Sequence, residues 1–252
     1  MTGEPDGVRL LALGDAAWTV EFGDRIDPAL FSRVLGLAER LETARNASED
    51  PSFAGIVEVV PTFRSLTVFF DPGACDGEEI GKALLRLAGT SGRVQTEGRF
   101  WKIPVCFDEE YGPDLSAIAE AKSLGRDEVV ALMTCAIFRV YMIGFMPGFP
   151  YMGGLPSILE TPRLASPRKA IPPRTLAIAG AMCAIYPWES PGGWRLLGRT
   201  PLPLFSADDA VSPSLFASGD RVCFESIDRA RFAEIEESAA HMKRSAFLVR
   251  EA

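Results

Sequence analysis

A single histidine, His241, stands in the 252 residues, within a polar segment that follows the last expected helix. A Ser-His-Asp or Cys-His arrangement would have to draw its base from a chain end, which excludes most hydrolases of that type. The five cysteines, Cys75, Cys106, Cys135, Cys183 and Cys223, contain no Cys-x-x-Cys pair. Neither a zinc site nor a redox pair is spelled out, so no metal and no disulfide is expected. Mostly apolar neighbours suit them as buried small hydrophobes of a reducing compartment. No run of about 18 apolar residues occurs and the first residues lack an apolar core, so neither a membrane span nor a secretory leader is expected. The expected location is cytoplasmic. Phosphate-cradling Gly-x-Gly-x-x-Gly and Gly-x4-Gly-Lys-[Ser/Thr] signatures are also missing, and Gly192-Gly193-Trp194 has no following Lys-Ser or Lys-Thr. A self-sufficient ATP site is therefore not visible. With a net charge of −8, the chain offers no general nucleic-acid surface.

What is present is concentrated in the middle. Apolar residues make up 47% of the chain and charged ones 24%, enough for cores that need no metal or disulfide staple. From Arg139 to Thr200 seven cations face only Glu160 and Glu189, a local balance of +5 that leaves −13 for the remainder. Inside this basic region lie two stretches rich in glycine, proline and aromatics. The first is GFMPGFPYMGG, Gly144 to Gly154; the second is SPGGWRLLGRTP, Ser190 to Pro201. Their composition suits loops, with glycine admitting close approach, proline fixing φ and large rings unlike residues left in water. They read as the walls of a pocket or as well-packed turns of a β-rich domain. Arg163, Arg168 and Arg199 follow Thr-Pro, Ser-Pro and Gly, so they sit on stiff turns that would pre-organise a guanidinium for an oxyanion or for neighbouring carbonyls.

Along the chain, Arg9 to Leu13 and Trp18 to Phe22 read as strands. Asp27 and Pro28 then open a helix with Leu30, Phe31, Val34, Leu37 and Leu41 at helical spacing. Strands at Ile56 to Val60 and Ser65 to Phe70 and a helix at Gly77 to Leu87 complete a ββαββα order. That order implies two helices on one face of a small, mostly antiparallel sheet. The polar stretch from Gly89 to Gly98 is the expected linker, separating an α+β domain at residues 1–92 from a second domain at residues 99–252. In the second domain, Phe100 to Phe107, Phe138 to Ile143, Leu176 to Ala179, Ala184 to Tyr186, Arg195 to Leu197, Leu202 to Phe205 and Arg221 to Phe224 are strand-like. Helices are expected over Pro113 to Ala121, from Asp127 through Met133, and over Asp228 to Ala239, with an edge strand at Phe247 to Val249. So many short strands broken by Pro and Gly suggest a closed barrel.

GFMPGFPYMGGLP, TPRLASPRKAIP and AIYPWESPGGWRLLGRTPLPLF resemble the family of the B-type subunit of 5-oxoprolinase, which also takes in the KipI histidine-kinase inhibitor and the first subunit or subdomain of allophanate hydrolase and urea carboxylase. LLALGDAAWTVEFGDRIDP, VVPTFRSLTVFFDP, IPVCFDEEYGPDL and ASGDRVCFESID extend the resemblance over nearly the whole chain. It implies a small α+β domain followed by a mostly-β, cyclophilin-like barrel with a C-terminal helix. It further implies a companion subunit, of the 5-oxoprolinase C-type or the allophanate hydrolase subunit 2 type, and a small amide or carboxylate ligand. In the 5-oxoprolinase case ATP is consumed by the assembled complex; in the inhibitor case the partner is a histidine kinase.

With the basic, aromatic motifs, the resemblance nominates Phe149, Tyr151, Arg168, Arg174, Trp194 and Arg199 for substrate binding, with Gly148, Pro150, Pro191, Gly192 and Gly193 shaping the pocket. No catalytic residue is nominated. Three departures from the family pattern stand out. Met133 replaces the usual His, Ile171-Pro172-Pro173-Arg174-Thr175 replaces VPAGS, and Met182-Cys183-Ala184-Ile185 replaces a Gln-Thr-Gly-Ile run. They are expected to line one site, where thioethers would remove hydrogen bonding and proton exchange, so that either the substrate differs or the chain is a diverged, inactive scaffold.

Overall fold

A computed structural model describes residues 7–47, 51–89, 98–209, 212–238 and 244–249. His241 and most of the expected linker lie outside them. The chain divides into two compact units, Met1–Glu97 and Gly98–Ala252.

In the first unit, β1 (Arg9–Ala12), β2 (Ala17–Glu21), β3 (Ile56–Pro61) and β4 (Ser65–Phe70) form an antiparallel sheet in the order β1-β2-β4-β3. Helix α1 (Pro28–Ala47) begins as its sequence dictates. The Asp27 carboxylate accepts the Ala29 N–H at 2.7 Å, and Pro28 fills the position where no N–H is required. Phe31, Val34, Leu37 and Leu41 are buried at helical spacing, as Ile80, Ala83 and Leu84 are on α2 (Gly77–Gly89). Both helices pack on the sheet.

The second unit is a closed barrel with strand order β10-β7-β6-β13-β5-β12-β9. Its strands are β5 (Phe100–Cys106), β6 (Phe138–Ile143), β7 (Pro150–Gly153), β9 (Thr175–Ala179), β10 (Met182–Ile185), β12 (Arg195–Arg199) and β13 (Arg221–Ile227). Only β5 and β13 run parallel; the other neighbours are antiparallel. A separate two-stranded arm pairs β8 (Arg168–Ile171) with β11 (Ser190–Gly192). Helices α3 (Leu115–Ala121), α4 (Arg126–Cys135) and α5 (Arg229–Ser238) pack against this unit's strands. The mixed α+β fold with a closed barrel is therefore present as expected.

Alternation along the strands decides where the site lies. Ile103, Val140, Met152, Ile178, Cys183, Leu197 and Phe224, one from each barrel strand, join a single large core. Intervening residues Ala177, Ala179, Ala184 and Leu196 enter a second cluster with Phe149, Ile171, Tyr186 and Trp194. The β9-β10-β12 wall is thus buried on both faces, and its far face is small-residued where aromatics pack on it.

Four local expectations are corrected. The two glycine and aromatic stretches are not loops throughout, because β7, β11 and β12 lie within them. Pro150 is tolerated as the first residue of its strand, and Gly153 leaves room for the Tyr141 ring. Arg168 opens β8 rather than standing on a turn. Leu202 to Phe205 makes only an isolated bridge, Phe205 to Ser214, since Pro201 and Pro203 donate no ladder bond. Phe247 ends a 3-10 turn, and only Leu248 bridges to Trp101.

Candidate functional site

Phe149 is the hub of the second cluster. It is 2% exposed and meets the rings of Tyr151 at 4.9 Å, Tyr186 at 5.1 Å, Phe145 at 5.6 Å and Trp194 at 6.1 Å, all edge-on. Edge-to-face packing suits the ring quadrupoles and fixes each ring's tilt. Between these rings and the β8-β11 arm lies a cavity of about 340 Å³, lined by Phe145, Phe149, Tyr151, Arg163, Pro167, Tyr186, Pro191, Gly192, Gly193 and Trp194. It sits near the small end of the range for ligand pockets, roughly 300 to 1,000 Å³.

Backbone detail keeps the space open. A methyl group at Gly192 would collide with the Tyr186 hydroxyl, so only glycine leaves both the arm and the phenol in place. Leu164 donates its N–H to the Gly193 carbonyl at 2.7 Å, which holds the preceding Arg163 over the Trp194 ring, 5.8 Å from its centroid. Behind the wall, the buried Asp114 carboxylate accepts the Leu196 N–H and the Arg168 guanidinium, both at 2.7 Å. Arg168 in turn donates to the Trp194 carbonyl at 3.4 Å.

The electrostatics are simple. Arg163 is the one cation of the lining and no carboxylate lines the cavity. Among the described residues no acid pairs with Arg163. Burial pushes the Tyr186 phenol up to about 12, partly offset by Arg163. Burial also raises the Tyr151 phenol, again against Arg163. Both are therefore neutral hydroxyls near pH 7, able to donate to a carbonyl or carboxylate oxygen. A lone guanidinium, two phenols and flat apolar walls can hold a compact monoanion with a planar group. Among the described residues, no group of three or more His, Cys, Asp and Glu is placed to hold a metal ion.

Of the nominated residues, Phe149, Tyr151, Trp194, Pro191, Gly192 and Gly193 are brought together on the lining. Gly148 and Pro150 lie beside it, with φ +78° at Gly148 and Pro150 paired to Ile143 on β6. Arg168 is one layer behind. Arg174 and Arg199 are outside the lining, at a second cluster. There Arg174 donates to the Pro201 carbonyl at 2.9 Å and pairs with Glu236 of α5, and Arg199 donates to the Pro173 carbonyl at 2.9 Å. The departures converge only in part. Ile171, Ala184 and Met182 meet at the aromatic cluster, whereas Met133 is fully buried in the large core and Arg174 faces α5. Tyr186 joins the lining without having been nominated by the sequence. Its signal is its place two residues beyond Ala184, just past the end of β10 and in the same cluster as Ala184.

The barrel with its lateral aromatic cavity defines a class, and sequence comparison gives the family. A model described as carboxyltransferase domain, subdomain C and D, matches residues 8–216, and the chain belongs to that family. It is 36% identical to the B-type subunit of 5-oxoprolinase from Bacillus subtilis over 238 residues, covering 90% of this chain and 96% of that protein. The crystal structure of TTHA0988 superposes with a TM-score of 0.72 at 32% identity, over 84% of this chain but 40% of that one. The chain thus spans well under half of that relative. Kluyveromyces lactis urea amidolyase shares the fold at a TM-score of 0.73 and 21% identity, over 95% of this chain and 16% of that one. No helix among the described residues is long and apolar enough to cross a membrane.

Proposed function

We propose that this chain is the substrate-holding subunit of an ATP-dependent, amide-hydrolysing assembly of the 5-oxoprolinase type, and that its cavity takes 5-oxoproline or a small amide carboxylate of similar size. The observation that carries this reading is the guanidinium of Arg163, held at an aromatic cavity with no acid among the described residues to neutralise it. Membership of the carboxyltransferase family and the 5-oxoprolinase relatives supply the reaction class. In this reading Arg163 takes the ligand carboxylate, and the Tyr151 and Tyr186 hydroxyls donate to the lactam oxygen. Phe149 and Trp194 flank the ring, while Arg168 positions the wall through the Trp194 carbonyl. Gly148, Pro150, Pro191, Gly192 and Gly193 shape the space. Arg174 and Arg199 act in this picture as supports of the barrel, not as ligand contacts.

A single cation suits one carboxylate far better than a triphosphate, so ATP is assigned to the assembled complex rather than to this cavity. The companion is of the 5-oxoprolinase C-type or the allophanate hydrolase subunit 2 type, and the assembly works in the cytoplasm, where ATP is supplied. Reconstitution with the companion subunits tests the proposal by following glutamate release from 5-oxoproline. Turnover that requires this chain and ATP is the expected result; an assembled complex that leaves 5-oxoproline intact would overturn it.

A further inference from the structure

Two large exposed aromatic side chains stand near the cavity, Phe145 on its lining and Trp188 on a neighbouring loop, where its ring packs against Phe205 at 6.0 Å. Phe145 is 66% exposed and Trp188 is 47% exposed. The Trp188 indole N–H donates to the Pro147 carbonyl at 3.2 Å, so the two rings belong to one rim, continued by the exposed Pro147 and Pro191. Phe145 is unfavourable twice over. Its φ is +70°, a region that residues with a β-carbon rarely adopt, and its ring is left largely in water. Its ring contact with Phe149 leaves most of the phenyl surface in water, whereas aromatic anchors of this kind dominate protein interfaces. Because Phe145 packs edge-on against Phe149, whatever covers the rim also bears on the hub of the cavity.

The surroundings indicate what covers it. One exposed acid, Glu189, follows Trp188 in the rim, against two exposed cations beside it, Arg163 and Lys169, the latter on the strand paired with β11. They belong to the segment that carries +5 in a chain whose remainder carries −13. A positive margin around an apolar centre selects a partner with acidic side chains around an apolar socket. The rim is built from short loops on a barrel, unlike the basic amphipathic helices that lie on lipid. In TTHA0988 the matching fold is 40% of the chain, so there it is continuous with further polypeptide.

We infer that the Phe145–Trp188 rim is the docking surface for the companion protein, which covers the cavity mouth with an apolar socket edged by acidic residues. The inference rests on the reading above that a companion exists. It is tested by measuring companion affinity for the full chain and for Phe145→Ser, Trp188→Ser and, as a control, Ile137→Ser. Ile137 is 57% exposed and precedes β6, at the opposite end of that strand from Phe145. Each rim variant should weaken binding by about tenfold or more, as interface anchors do, and the control should bind as the parent does. Hydrogen exchange on the unaltered chain gives a second readout that needs no variant, with slowing expected at residues 144–148 and 187–191 when the companion is added. Tight binding by the parent with unchanged rim variants, or with no slowing at those residues, overturns the rim alone. No binding by the parent overturns both the rim and the companion reading. Rim-dependent binding to vesicles of phosphatidylglycerol and phosphatidylcholine would assign the surface to lipid instead.

Discussion

Two of the places in the barrel unit where arginines lie over aromatic rings differ in what answers the charge. At one, Arg174 sits 6.0 Å over Phe232 and Arg199 5.9 Å over Tyr111, and those two rings stack at 4.7 Å. Glu236 pairs with Arg174, and the Pro201 and Pro173 carbonyls take donors from the two guanidiniums. Burial, and then the nearness of Arg174, lower the pKa of Arg199, so this cluster is crowded as well as occupied. At the other, Arg163 over Trp194 has a cavity beside it and, among the described residues, no acid paired with it. The first cluster ties α5 to the barrel; the second is the one proposed above to meet a ligand. Residue type is the same in both, and partner count separates a latch from a site.

The largest test of this contrast is Phe149→Ala. Removing the buried hub ring and its four ring contacts should cost about 3–5 kcal/mol of stability, read as a lowered denaturation midpoint. A loss under about 1 kcal/mol would mean that the four ring contacts are not a packed unit. At the latch, Arg174→Ala should cost about 1–2 kcal/mol, because the Glu236 pair is lost while the left-handed backbone is kept. Arg174→Gly should recover about 1 kcal/mol of that, since glycine adopts a φ of this sign freely. Equal stability of the two variants would break the account of Arg174. At the open cluster, Arg163→Met should change stability by no more than about 0.5 kcal/mol.

The smallest effect is one of pH. The Tyr186 phenol ionises at 10.0 in its ordinary state and is pushed up to about 12 by burial. Unfolding therefore releases a proton in that window. The stability Tyr186 contributes is complete below pH 10.0 and is lost as the pH rises toward about 12. Denaturation against pH should show that decline in the parent and less of it in Tyr186→Phe.

Much of this is legible in the residues. Asp27, Pro28 and the spacing of Phe31, Val34 and Leu41 spell out α1, and the run of short strands with breakers spells out a barrel. The motif around Phe149 stands out in the sequence as a place where rings and glycines meet. Its strands are hidden because proline and glycine argue against a strand, and the reasons they are tolerated are three-dimensional. Gly153 makes way for Tyr141 and Gly192 for Tyr186, neither of them a sequence neighbour. Which arginine is free cannot be read from Pro-Arg turns either, because the answer depends on Asp114, Glu236 and three carbonyls brought in by folding. Met133 carries the same lesson. As a departure from the family's His it suggests altered chemistry, yet it lies fully buried among the large core's side chains.

The central claim is that Arg163, and not the latch arginines, meets the ligand. Its most direct test is the affinity of the reconstituted complex for 5-oxoproline, compared among the parent, Arg163→Met and Arg174→Ala. Losing a charge-assisted carboxylate pair should weaken binding by about a hundredfold in Arg163→Met, with Arg174→Ala close to the parent. Parent-like affinity in Arg163→Met, or the larger loss in Arg174→Ala, would contradict it.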